Sequence, residues 1–232
     1  MERVDKILAQ TLSVSRAEIQ RLIRAKRITI NGSHIKSSSH KISFDDAVCL
    51  DDSLIKLLCN TRYFMLNKPV GLVCANNDSS YPSVTSLLDE PSAYSLHAAG
   101  RLDVDTTGLV LLTDDGQWSH RITSPKKLCS KVYIAEVKAP LDESLVAIFK
   151  AGIMLNQEKF PTAPADLEIL TPYTAKLTIY EGKYHQVKRM FAAVNNRVIN
   201  LQRIKIGNLA LDESLGLGEY RMLTQDEIAL FN

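Results

Sequence analysis

The residues most able to do chemistry lie close together between positions 97 and 116. There, Asp103, Asp105 and Arg101 occupy a polar segment that runs directly into the apolar residues 109–112. A rigid strand commonly holds a reactive loop at its end, so a carboxylate here could act as a nucleophile or a base. A single Asp beside Arg and Thr is otherwise more often a turn or capping residue. The rest of the chain must decide between these two interpretations.

Three other stretches contain residues that could take part in a reaction but that could equally have an ordinary structural role. Residues 67–71 (Asn-Lys-Pro-Val-Gly) contain a Pro and a Gly that are typical of a hairpin loop. Residues 131–133 (Lys-Val-Tyr) place Tyr133 near the start of a predicted strand, where a tyrosine is by default a core or edge aromatic. Residues 181–191 include two adjacent cations, Lys188 and Arg189. By themselves these stretches identify no reaction.

The remaining carboxylates, histidines and cysteines favour structural roles. Asp105 lies in a polar loop, and Asp114 and Asp115 precede a glycine in an Asp-Gly turn. The histidines at 97, 120 and 185 are separated by unrelated elements and lack an i, i+4 pairing, so no metal site is predicted. The four cysteines include no C-x-x-C pair, which argues against a zinc site or a disulfide framework and indicates a reducing cytoplasm.

The elements that must position these residues form a mixed pattern. Strands are predicted over residues 63–66, 109–113, 132–137, 175–180 and 198–206, several with apolar residues at every second position. Val187, Met190, Phe191 and Val194 follow the i, i+3, i+4, i+7 spacing of a helix that ends at residues 195–196. No steady βαβ alternation and no glycine-rich nucleotide loop occur. An α+β class with a mostly antiparallel mixed sheet is therefore expected.

The first 43 residues differ from the rest in charge. They carry nine Lys and Arg against three Asp and Glu, a net charge of +6 in a chain whose total is only +2. Apolar spacing predicts two short helices, the second beginning at a possible S-x-x-E capping box at residues 15–18, and Asn31-Gly32 predicts a type I′ hairpin. Residues 45–61 are expected to end this module and to form a linker. Apolar runs are too short to cross a bilayer, so no membrane association is expected.

Several motifs of the chain resemble those of two known families. Residues 3–9 (Arg-Val-Asp-Lys-Ile-Leu-Ala), 15–16, 22–23 and 30–32 resemble the S4 RNA-binding module, a small α/β module. Residues 100–116 resemble the G-R-L-D-x-x-T-x-G-L-x-x-x-T-x-D-G signature of pseudouridine synthases, and the stretches at 67–71, 131–133 and 181–191 match further motifs of that family in the same order. Residues 103–125 especially resemble the bacterial branch that acts on small-subunit (16S) ribosomal RNA.

The resemblance implies a role for each matching residue. Asp103 corresponds to the essential carboxylate, Tyr133 to the aromatic that stacks on the target base, and Lys188 to the basic residue that pairs with the carboxylate, with Arg189 as the alternative. RNA contacts are expected from seven cations: Arg16, Arg21, Arg24, Lys26, Arg27, Arg101 and Arg189. Moving uracil from N1 to C5 changes no redox state, so neither a cofactor nor a metal is expected.

The sequence thus predicts an S4-like RNA-binding domain over residues 1–60 and a pseudouridine synthase catalytic domain over 61–232. The expected partner of this cytoplasmic monomer is ribosomal RNA or a partly assembled small subunit, and the resemblance implies uridine 516 as the target. A relative acting on large-subunit RNA, a noncatalytic ribosome-assembly protein that binds RNA through the module, and a hydrolase with paired Asp residues are the alternatives.

Overall fold

The computed structural model describes residues 2–12, 14–43, 45–57, 61–76 and 78–232. Contacts divide the chain into two compact units, one of Met1–Thr61 with Asp89–Ser95 and one of Arg62–Leu88 with Leu96–Asn232. The predicted domain boundary between residues 60 and 61 stays a prediction, since the division by contacts also assigns a later segment to the first unit. Within the described residues, no helix has the length and apolar character needed to cross a membrane.

The first unit contains two helices and six short strands. These are β1 (Glu2–Arg3), α1 (Val4–Leu12), α2 (Arg16–Arg24), β2 (Ile28–Ile30), β3 (Ser33–His34), β4 (Lys41–Ile42), β5 (Val48–Leu50) and β6 (Ser53–Ile55). Strand β1 pairs with β4, and a second antiparallel sheet has the order β3-β2-β5-β6. Apolar residues from both helices and from β2, β4 and β5 form the core of the unit.

Local sequence determines the start of α2 and both turns of the second sheet. Ser15 Oγ accepts a hydrogen bond from Glu18 N at 3.1 Å, which is the N-cap half of the predicted capping box. Asn31 and Gly32 both have positive φ, 49° and 78°, which confirms the predicted type I′ hairpin. Asp51 and Asp52 also have positive φ and connect β5 to β6. Residues 48–55 are therefore a hairpin of this unit rather than linker, and residues 58–60 of the predicted linker lie outside the described residues.

The second unit is built on a nine-stranded sheet. Its elements are β7 (Tyr63–Lys68), β8 (His97–Ala98), β9 (Thr107–Thr113), α3 (Gly116–Thr123), β10 (Lys131–Val137), α4 (Ser144–Ala151), β11 (Asp166–Thr171), β12 (Thr174–Ile179), α5 (Gln186–Ala193), β13 (Val198–Ile206), β14 (Leu209–Ala210), β15 (Tyr220–Met222) and α6 (Gln225–Ala229). The main order is β11-β12-β10-β13-β9-β7-β15, with β14 beside β13 and β8 beside β9. Among the described strand pairs, β13 with β9 is the parallel one. The predicted α+β class with a mostly antiparallel sheet is confirmed.

The five predicted strands and the helix at 187–194 are present, with ends shifted by up to two residues. The sequence does not predict four strands of this unit, β8, β11, β14 and β15, or its helices α3, α4 and α6. Trp118 of α3 is fully buried and packs edge-on against Tyr63 and Phe231, with ring centroids 5.1 and 5.3 Å away. This aromatic group closes one face of the sheet over the core that includes Leu109 and Leu111.

Strands β9 and β13 approach each other closely at one glycine. Gly108 has φ +99°, and a Cβ at this position would overlap the carbonyl oxygen of Arg203 and lie 2.8 Å from its nitrogen. The parallel register pairs these same two residues. Since a side chain would both strain the backbone and force the strands apart, the contact requires glycine.

We expect Gly108→Ala to destabilise the second unit by about 2–6 kcal/mol, the sum of backbone strain and overpacking. Urea unfolding followed by the fluorescence of Trp118, the single tryptophan, measures this unit selectively. Gly116→Ala is the matched control, because a Cβ there meets nothing within 4 Å. Equal unfolding midpoints for Gly108→Ala and the unmodified chain would contradict the close-approach argument.

Candidate active site

A cavity of about 680 Å³ opens beside the loop that joins β8 to β9. Loop residues 99–104 and 106, ends of β10, β12 and β13, and the start of α5 line it. All lining residues belong to the second unit. The sheet therefore brings together three of the four stretches singled out in the sequence, with Asp103, Tyr133 and Lys188 on the wall of one cavity.

Lys188 holds the carboxylate of Asp103. Its Nζ donates a hydrogen bond to Asp103 Oδ2 at 2.9 Å and another to Asp105 Oδ1 at 2.5 Å. The side chains of Asp103 and Lys188 are 27% and 25% exposed, whereas that of Asp105 is 66% exposed. Partial burial by itself would lower the pKa of Lys188, but the hydrogen bonds to Asp105 and Asp103 raise it. The ammonium thus stays charged beside two carboxylates.

The second oxygen of Asp103 is less tightly engaged. His185 Nε2 lies 3.5 Å from Asp103 Oδ1, longer than the contact that Lys188 makes with Oδ2. An oxygen that keeps lone pairs available, on a carboxylate whose other oxygen is fixed by a cation, can attack an electrophilic carbon or accept a proton. Oδ1 is thus the oxygen of this carboxylate that is less tightly held.

Asp105, for which the sequence favours a structural role, shares the ammonium of Lys188 with Asp103. Partial burial would raise the pKa of Asp105, but the hydrogen bond and charge of Lys188 lower it. Asp114 and Asp115 do have structural contacts. Asp114 pairs with Arg62, and Asp115 caps α3 by accepting hydrogen bonds from Gln117 N and Trp118 N.

The loop that carries Asp103 is fixed by the fully buried ammonium of Lys68. This Nζ donates to the carbonyl oxygens of Pro69 (2.9 Å), Asp103 (3.0 Å), Val104 (3.3 Å) and Thr106 (2.8 Å). Burial lowers the pKa of Lys68. The sequence predicts a turn and a family motif at residues 67–71, but it does not predict that Lys68 fixes the loop that carries Asp103.

Arg203 fixes the same loop from the other side. Its guanidinium, with the residue only 2% exposed, donates to the carbonyl oxygens of Leu109 (2.8 Å), Arg101 (3.2 Å) and Gly100 (3.2 Å). This role of Arg203 is not predictable from the sequence, because contacts with backbone carbonyls leave no side-chain pattern to match.

Tyr133 lies on β10, where its cross-strand neighbours are Leu177 of β12 and Arg203 of β13. The residue is only 8% exposed, yet it lines the cavity. Within the described part of the chain, no hydrogen bond engages its hydroxyl. The ring therefore offers an apolar face and a free hydroxyl to whatever enters.

The structure separates the two adjacent cations of α5. Lys188 contacts Asp103, whereas Arg189 pairs with Glu158 at 3.2 Å and also donates to the carbonyl oxygens of Tyr184 and Asn156. Arg189, predicted to contact RNA, is thus already engaged by three protein groups. Arg101, also predicted to contact RNA, is exposed on the cavity wall.

The other predicted RNA-binding residues belong to the first unit and are all exposed: Arg16, Arg21, Arg24, Lys26 and Arg27. Ile19 and Ile23 form the buried face of α2, so its arginines point outward. Arg21 pairs with Glu18 at 2.9 Å, and Arg27 pairs with Asp51. Arg24 and Lys26 form no ion pair among the described residues.

Comparison with known proteins assigns both units. The RNA pseudouridylate synthase family matches residues 62–193, and the S4 domain matches residues 2–48. Proteins named ribosomal small subunit pseudouridine synthase A are 54% identical in Salmonella typhimurium and 51% identical in Escherichia coli K12, over 98% of both chains in each case. A crystal structure of a pseudouridylate synthase has a TM-score of 0.73 and 52% identity, covering 100% of both chains. The chain therefore belongs to the RNA pseudouridylate synthase family and carries an S4 domain at its N-terminus.

Proposed function

We propose that this RNA pseudouridine synthase converts one uridine of 16S ribosomal RNA, uridine 516 by family resemblance, to pseudouridine. The observation that carries the chemistry is the Asp103 carboxylate, held at 2.9 Å by Lys188 on the wall of the cavity. The names of the relatives at 51–54% identity support small-subunit RNA as the substrate. The enzyme acts in the cytoplasm as a monomer, on ribosomal RNA or on a partly assembled small subunit.

The reaction breaks the C1′–N1 bond of uridine, turns the uracil, and joins C5 to C1′, while C5 loses a proton and N1 gains one. Whether Asp103 attacks the nucleoside or removes a proton from the sugar, the step requires an anion. Lys188 stabilises that anion inside the cavity and leaves Oδ1 available. Lys68 and Arg203 hold the carbonyls around Asp103, so its carboxylate is oriented before RNA arrives.

Tyr133 would receive the uracil once it has left the RNA stack. Its buried ring offers a stacking face, which offsets part of the cost of unstacking the base. Its free hydroxyl is able to relay the proton that C5 loses, its oxygen accepting that proton while the hydroxyl passes its own to water. Binding and proton transfer are thus two separable functions of one side chain.

The first unit would hold the RNA by its phosphates. Its exposed arginines and Lys26 supply positive charge for contacts with phosphates, which carry no sequence information. We assign residues 1–60 as the RNA-binding domain and 61–232 as the catalytic domain. Target choice then depends on the second unit and on the RNA fold.

Asp103→Asn should abolish product, by at least about 1000-fold, since an amide of the same size cannot serve as an anionic nucleophile or base. Pseudouridine is mapped in transcribed 16S and 23S ribosomal RNA after incubation with each protein. Asp142→Asn is the control, because this carboxylate is exposed, does not line the cavity and accepts a hydrogen bond from Ser144 N at the start of α4. Normal turnover by Asp103→Asn would refute the assigned chemistry, and modification of 23S RNA alone would refute the assigned substrate.

Tyr133→Phe should leave RNA affinity nearly unchanged but slow single-turnover product formation by about 100-fold or more, the usual worth of a positioned acid or base. The measurement is rapid-quench product formation with enzyme in excess, alongside a binding titration. An unchanged rate would restrict Tyr133 to stacking.

Arg24→Gln with Lys26→Gln should weaken RNA binding and flatten the slope of log affinity against log salt by about 1.4 to 1.8, because two phosphate contacts are lost. Arg21→Gln with Arg27→Gln is the matched control and should flatten it less, since both side chains are paired with carboxylates. The rate at saturating enzyme and the uridine modified should not change in either variant. Equal slopes for all three proteins would show that these cations do not contact phosphate.

A further inference from the structure

The most exposed aromatic ring beside the cavity is that of Tyr184. Its residue is 75% exposed and lines the cavity, and its ring stacks on His185 with centroids 3.8 Å apart and an interplanar angle of 20°. One face of the ring is therefore covered by imidazole and the other is open to solvent. Single exposed apolar residues are common and need no function. Whether Tyr184 has one therefore depends on where its ring lies and on which contacts hold it there.

Several hydrogen bonds and ion pairs hold the surface turn that carries Tyr184. Arg189 Nη1 donates to the carbonyl oxygen of Tyr184 at 3.1 Å, and the preceding Lys183 pairs with Glu158 at 2.9 Å. The backbone nitrogen of Lys183 also donates to Gln186 Oε1 at 2.8 Å. Glu158 joins both cations, so the turn is fixed on each side of the ring. Such a ring loses little conformational freedom when a ligand stacks on it.

The position is next to the reacting atom. His185, on which Tyr184 stacks, has its Nε2 3.5 Å from Asp103 Oδ1. The sugar of the target uridine must reach this oxygen, while Tyr133 lies on the cavity wall to receive its base. The open face of Tyr184 is thus one stacked ring beyond the site of the target sugar, on the rim where the neighbouring nucleotides must pass.

We infer that Tyr184 is a stacking site for the unpaired base next to the target uridine in the RNA substrate. Taking the target base out of its stack uncovers a face of each neighbour, and a fixed aromatic ring replaces the contact that is lost. His185 covers the other face of the ring and lies beside Asp103, so the ring has a defined position relative to that carboxylate. The inference rests on the proposed placing of the target uridine at Asp103, but not on which ribosomal RNA supplies it.

The test compares Tyr184→Ala with Tyr184→Trp, which keeps a flat face, on an RNA fragment that the unmodified enzyme modifies. Alanine should weaken binding on the order of tenfold, because stacking of one base on an aromatic contributes about 1–3 kcal/mol. Tryptophan should retain the affinity. Tyr173→Ala is the matched control and should change nothing, since this tyrosine is 52% exposed just before β12, whose other end lies at the cavity.

A second measurement identifies the base. The same RNA is made with an abasic nucleotide on the 5′ or the 3′ side of the target uridine. On one of these two RNAs, the unmodified enzyme should lose affinity by a similar factor, and Tyr184→Ala should add no further loss. Additive losses on both RNAs, or equal affinities of the alanine and unmodified proteins, would overturn the inference. A fragment of 23S RNA serves equally if mapping shows modification there, so failure of the assigned substrate stays distinguishable.

Discussion

The buried ammonium of Lys68 is the interaction on which the geometry of the site depends. A cation with no exposure to water must be surrounded by oxygen atoms, because an unsatisfied buried charge costs several kcal/mol. The four carbonyls that meet this need come from two segments, the turn after β7 and the loop that carries Asp103. The hydrogen bonds that Lys68 needs thus fix the conformation of the polar loop that carries Asp103.

Cations hold this site in two different ways. Lys68 and Arg203 bind backbone carbonyls and determine where the loop runs, whereas Lys188 binds side-chain carboxylates and determines how Asp103 is oriented. One ammonium shared between Asp103 and Asp105 leaves the pair with excess negative charge. Two neighbouring carboxylates repel each other, and the exposure of Asp105 lets water bear part of that cost.

Sequence was sufficient where the physical cause was local or where a motif matched residue by residue. Asn31-Gly32 predicts its own turn, and Val187, Met190 and Phe191 predict the buried face of α5. The motifs also predict that Lys188 pairs with Asp103, and the two side chains are in contact. Their catalytic roles stay predictions. Sequence was insufficient for contacts with backbone carbonyls, such as those of Arg203, and for the choice between Lys188 and Arg189. That choice depends on Glu158, which reaches Arg189 from a distant loop.

The position of β13 in the sheet has a consequence for synthesis of the protein. Strands β7 and β9 pair with each other, and β10, β11 and β12 form a separate antiparallel group; all five precede β13 in the chain, whereas β15, which pairs with β7, follows it. Strand β13 joins these two groups, and it comes from residues 198–206 of 232. A polypeptide that terminates before this strand leaves the two half-sheets unjoined and the carbonyls of Gly100 and Arg101 without their guanidinium. Translation must therefore pass residue 206 before a nascent chain can complete the wall of the cavity.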